Sequence, residues 1–200
     1  MKVVAGTAAL VAVLVLGIQA LRAPDEFELA LVDRQGNKQT IGTLPETTFA
    51  PRISPDRKFI AYDNSDRSGT AVWIYSLGDR TSRKLSPGDA HYPIWSADGQ
   101  WVLYTSNVQG EPAIFQQRAD GSGQPEKLTA PARAPESWSA VNQMFSFITL
   151  SVSDYDIWSY SFRERRASVL YRIPNSAQHS SSISPDGRWI AYMSDEKGRE

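Results

Sequence analysis

An all-β fold assembled from repeated four-stranded antiparallel sheets is predicted by three features of the sequence. A segment recurs four times, spacings inside each recurrence are fixed, and turn residues fall at the same place in most copies. The copies are PRISPDRKFIAY from Pro51, PIWSADGQWVLY from Pro93, ESWSAVNQMFSF from Glu136 and SSISPDGRWIAY from Ser181. Their aligned serines, Ser54, Ser96, Ser139 and Ser184, lie 42, 43 and 45 residues apart. A period of about 40–50 residues is that of a four-stranded β-propeller blade.

The first strand of each unit runs into the serine, and the turn after it has its own chemistry. In Ser184-Pro185-Asp186-Gly187, Pro presets φ, Asp bonds nearby backbone and Gly accepts positive φ. The third copy has Asn142 where Gly99 and Gly187 stand, and Asn is the non-glycine residue that best tolerates a left-handed backbone. Arg57 at that place in the first copy is a local cost. The second strand, such as Trp101-Val102-Leu103-Tyr104, is apolar throughout, as expected of a strand covered on both faces. A third strand follows each serine at a constant offset, marked by the aromatics Trp73, Phe115 and Trp158. A fourth is marked, at a nearly constant further offset, by Leu85, Leu128 and Leu170.

These spacings predict blades over about 49–87, 91–130 and 134–173, flanked by half-blades at 25–44 and 179–200. Leu29 to Ile41 repeats the spacing of the later half of a blade. The loose halves sum to a fourth blade, but a partial larger propeller is expected, since Glu200 falls where a third strand begins.

The stretch from Val3 to Leu21 contains no charged residue and is bracketed by Lys2 and Arg22. It is read as a hydrophobic helix, so that residues 1–23 are a signal peptide or a membrane anchor and the remainder is periplasmic or otherwise extracytoplasmic. Lys and Arg total 21 against 22 Asp and Glu, so no basic surplus supports nucleic-acid binding. Cysteine is absent, which removes disulfides and thiolate chemistry. Six Trp, eight Tyr and seven Phe favour pleated, half-buried surfaces.

Ser184 to Ser194 (SPDGRWIAYMS) and Asp156-Ile157-Trp158 resemble the TolB-like propeller repeat, across roughly residues 25–200. Val32-Asp33-Arg34-Gln35-Gly36, Pro51 to Asp56 and Asp156-Ile157-Trp158 resemble in particular the extracytoplasmic propeller of bacterial transmembrane serine/threonine kinases. The kinase motifs themselves are missing from this sequence: there is no Gly-rich phosphate loop, His-Arg-Asp stretch or Asp-Phe-Gly.

Candidate ligand contacts come from equivalent positions. His91 and His179 each lie five residues before the serine, where the other copies have Phe49 and Ala134. The expectation places them in the loop entering the innermost strand, ringing one mouth of the central channel. A coincidental pair is the simpler reading of two histidines without a third ligand residue. Asp56, Asp98 and Asp186 are turn formers, because an acid/base pair needs two carboxylates converging on one bond. Asp154 and Asp156 share a face if extended, which permits a cation contact, although the third-strand pattern already accounts for Asp156. Ser180, Ser181 and Ser182 beside His179 form a polar loop, and no Gly-x-Ser-x-Gly elbow is present. No catalytic residue, cofactor or metal is expected. The function expected is a non-enzymatic scaffold for a protein or peptide, with the membrane engaged through residues 3–21. The alternatives are the sensor propeller of a transmembrane kinase and the gating propeller of a prolyl-oligopeptidase-like peptidase.

Overall fold

The computed structural model describes residues 26–107, 110–150 and 154–196. The apolar segment 3–21, expected as an anchor or signal helix, lies outside the described residues. Among the described residues no helix is long and apolar enough to cross a membrane. Regular structure there consists of sixteen strands: β1 Glu26–Val32, β2 Lys38–Pro45, β3 Thr48–Ile53, β4 Phe59–Asp66, β5 Gly69–Ser76, β6 Ser82–Lys84, β7 Ala90–Trp95, β8 Trp101–Ser106, β9 Ala113–Arg118, β10 Glu126–Thr129, β11 Ala134–Ser139, β12 Met144–Leu150, β13 Tyr155–Ser161, β14 Arg166–Tyr171, β15 Gln178–Ile183 and β16 Ile190–Ser194. Each pairs antiparallel with its sequence neighbour, giving the sheets β3–β6, β7–β10 and β11–β14 and the two-stranded sheets β1–β2 and β15–β16. The fold is all-β with four-stranded antiparallel sheets.

The chain divides into two units after Glu46. In the first, β1 and β2 form a hairpin whose turn is tied by Asp33: one oxygen accepts the N–H groups of Gln35 and Asn37 at 2.9 and 2.8 Å, and the other the Asn37 amide at 2.8 Å.

In the second unit three turns share one construction. The carbonyls of Ser54, Ser96 and Ser184 accept the N–H of Arg57, Gly99 and Gly187 at 2.9, 3.0 and 2.8 Å. Those three residues have φ of 60°, 69° and 69°. Each serine hydroxyl donates to the carboxylate two residues on, Asp56, Asp98 or Asp186, at 2.6, 2.5 and 2.5 Å. It also accepts the N–H of Phe59, Trp101 or Trp189 at 3.0 Å. Because each serine N–H also reaches the carbonyl of Phe59, Trp101 or Trp189, the loop between them has four residues, a tight turn followed by a left-handed residue, with its polar groups satisfied internally.

The third turn differs from the expectation. Gln143, not Asn142, is left-handed, with φ 48°, and its N–H bonds the Ala140 carbonyl. Val141 replaces the turn aspartate, so no carboxylate holds the serine register and the turn slips by one residue. Asn142 instead donates its side-chain amide to the Gly187 carbonyl at 2.8 Å, tying two turns together. Glycine suits position 187: a Cβ there would stand 2.7 Å from that amide, at a φ that L side chains rarely adopt.

Consecutive four-stranded sheets pack through separate apolar layers. Val72, Ile74 and Leu85 of the first sheet meet Trp95, Val102, Tyr104 and Phe115 of the second. Ile94, Leu103 and Ile114 point the other way, toward Phe145, Phe147 and Tyr160 of the third. Alternate residues of β8 therefore enter opposite layers, and this is why its sequence is apolar throughout.

Candidate functional site

The first strand of each sheet in the second unit, β3, β7, β11 or β15, has a ladder partner on one side. An open strand edge is a template for unwanted pairing. In β3, β7 and β15 the edge is broken at the same point, four residues before the turn serine. Ala50, Tyr92 and Ser180 have φ of 48°, 56° and 56°, each inside a register shift against the second strand. In β11 that residue is Pro135, whose ring locks φ at a negative value and forbids the left-handed state. The shift there falls between Pro135 and Ser137, leaving Glu136 at the irregularity.

The turned backbone is anchored by carboxylates. Tyr92 donates its N–H to Asp63 Oδ2 at 3.1 Å, from the preceding sheet. Glu136 accepts the N–H groups of Ser180 and Ser181 at 2.6 and 2.8 Å and also the Ser181 hydroxyl. Ile183 donates to Ser137 Oγ at 2.9 Å, so β11 and β15 are fastened side by side.

Between these strands lies a cleft of about 680 Å³, walled by Arg52 of β3, Tyr92 to Ile94 of β7, Arg133 to Glu136, Tyr155 of β13 and His179 to Ser182 of β15. A second cavity of about 600 Å³ shares Arg52, Ile94 and Glu136 with it and extends to the four turn serines. Open space thus follows the inner strands from their beginnings to their turns.

Of the residues expected from sequence, His179 lies in this wall. Its Nδ1 is 2.9 Å from Ser180 Oγ, and its ring meets Tyr155 edge-on at 6.5 Å. His91 does not line the cleft: its Nε2 is 3.4 Å from Asp89 Oδ1 and its Nδ1 4.0 Å from Asp63 Oδ2. Phe49 is 60% exposed and also outside the lining. These positions do not sit in a loop before the inner strand. Pairing with the second strand already begins at Thr48, Ala90 and Gln178, which places Phe49, His91 and His179 within β3, β7 and β15.

The backbone N–H groups beside the Ser180–His179 contact, those of Ser180 and Ser181, are already given to Glu136 and are not free to stabilise an oxyanion. Asp156 is occupied too, by Arg172 Nε and a second guanidinium nitrogen at 2.8 and 2.7 Å. Among the described residues no cluster of three His, Cys, Asp or Glu is placed to hold a metal.

Sequence reasoning does not single out Arg52, Arg133, Tyr92, Tyr155 or Glu136. The repeat alignment flags Ala50, Tyr92, Pro135 and Ser180 as equivalent, but only the backbone reveals what the position does.

Residues 26–200 match the family model described as the TolB beta propeller domain, PD40. The chain belongs to the TolB β-propeller family. Its four-stranded sheets are blades in that family's terms. This TolB-like chain is similar to a putative TolB from Agrobacterium tumefaciens, with a TM-score of 0.69 and 24% identity over 82% of this chain and 59% of that one. TolB from Acinetobacter baumannii gives a TM-score of 0.63 and 20% identity over 86% of this chain and 49% of that one. This chain is also 24% identical, over 85% of its length, to the uncharacterized peptidase YuxL of Bacillus subtilis (strain 168), of which it spans 28%.

Proposed function

We propose that this TolB-like chain is a non-enzymatic, extracytoplasmic scaffold that binds a protein or peptide along its inner strands. The observation that carries the reading is the pair of abutting cavities running from Tyr92 and His179 down to the turn serines. A groove of that length suits an extended chain, since a strand advances about 3.3 Å per residue. The reading of the Val3 to Leu21 segment as an anchor or signal peptide supports the compartment. Its test is alkaline phosphatase fused after residue 25: activity in cells supports export, and an inactive fusion made in full contradicts it.

Likeness to YuxL favours a second reading, the propeller part of a longer peptidase whose catalytic residues lie outside these 200. The sensor propeller of a membrane kinase is a third, resting on the resemblance of Asp33 to Gly36 and Pro51 to Asp56. One experiment separates binding from catalysis by this chain: incubate it with a random peptide library, then recover bound and free peptides by mass spectrometry. Retention of intact peptides supports the scaffold. Cleaved products, or retention of nothing, overturn it.

A further inference from the structure

We infer that the inner-strand cleft takes an extended peptide rich in carboxylates, with its acidic side chains against Arg52 and Arg133. The inference deepens the recognition role proposed above and rests on it. Backbone pairing is a poor way to hold an occupant here, because every inner edge is interrupted, at Ala50, Tyr92, Glu136 and Ser180. Selection therefore falls to the side chains.

Three groups with a fixed charge line the cleft: Arg52, Arg133 and Glu136. Glu136 is committed, holding two N–H groups and a hydroxyl of β15. Arg52 donates to its neighbour's carbonyl, Pro51, at 3.1 Å, and Arg133 is exposed with no side-chain partner among the described residues. Two guanidinium groups thus face the space with donors to spare, and a planar fork of donors matches a carboxylate. Tyr92, 48% exposed, and Tyr155 add flat contact surface at little entropic cost.

The test uses the full chain and three fluorescein-labelled peptides of about ten residues, in which Ser alternates with Glu, Gln or Lys, so that an extended chain presents like side chains on one face. Fluorescence anisotropy should give the Glu peptide an affinity at least about tenfold above the Gln peptide at low salt, a preference that shrinks as salt screens it. Arg52→Gln combined with Arg133→Gln should abolish the preference for the Glu peptide over the Gln peptide while leaving the thermal midpoint unchanged. Arg133→Glu, a single exposed change, should move the preference toward the Lys peptide and covers the case in which the double variant misfolds. Equal affinity for Glu and Gln peptides, or a preference that survives both arginine changes, overturns the inference. Firm binding of the Gln or Lys peptide alone defeats the acidic ligand but leaves the scaffold reading standing, whereas failure of all three peptides defeats both.

Discussion

The second and third blades have the same strand order and solve the same problem with different chemistry. The β7–β10 blade has the complete polar turn, Ser96, Asp98 and Gly99, and a left-handed Tyr92 in its inner strand. The β11–β14 blade has lost both, with Val141 65% exposed where the aspartate belongs and Pro135 in place of the left-handed residue. What it has instead is aromatic packing: Phe145 lies 5.5–6.3 Å from the rings of Trp138, Phe147, Tyr160 and Phe162. Apolar layers between blades define the architecture, and the turn refines it. Degeneracy of the repeat is tolerable where packing is dense.

If that is so, removing the packing must cost more than removing a turn. Phe145→Ala takes out a fully buried ring and is expected to destabilise by about 3–5 kcal/mol, read as a lower urea midpoint. Glu136→Ala strips the two amides of β15 of their acceptor and should cost about 1–3 kcal/mol, with faster hydrogen exchange at Ser180 and Ser181. Asp98→Ala removes the acceptor for the Ser96 hydroxyl and the Gln100 N–H and should cost about 1 kcal/mol. Gln143→Gly relieves a left-handed side-chain residue in the slipped turn and should stabilise by at most about 1 kcal/mol. If Asp98→Ala proves as damaging as Phe145→Ala, the ranking of packing over turns is wrong.

The smallest effect is a pH dependence. The Ser184 hydroxyl, then the Arg188 N–H, hold Asp186 below the ordinary carboxylate range, and the Ser54 hydroxyl with the Lys58 N–H does the same for Asp56. A carboxylate whose value is lower when folded gives stability that is complete above its unfolded value, near 3.8, and is lost as pH falls through the folded one. The urea midpoint should therefore be flat toward neutrality and decline below about pH 4, less steeply after Asp56→Asn with Asp186→Asn. The third blade adds nothing to this decline at its turn, because Val141 does not titrate.

What is legible in the sequence follows the same division. The Ser-Pro-Asp-Gly turn and the doubly covered second strand can be read directly, because each rests on local bonds or on a two-residue alternation. Local rules misplace Asn142, since its amide serves a turn 45 residues away and none of them includes that partner. His91 and His179 are equivalent in the repeat yet face different surroundings: one meets Asp89 and Asp63, the other Tyr155 and the cleft. Arg133 and Glu136 escape notice because they break the repeat rather than obey it, and periodicity reports what copies share.

The claim that inner strands from successive blades make one binding surface is tested most directly by hydrogen exchange of the full chain with and without the alternating Glu–Ser peptide. Slowed exchange is predicted together at Tyr92 and Ile94, at Arg133 to Glu136, and at His179 to Ser182, three segments from separate blades that line one cleft. Bound peptide with slowing confined to the outer strands β6, β10 and β14, or to one of the three segments alone, would contradict it.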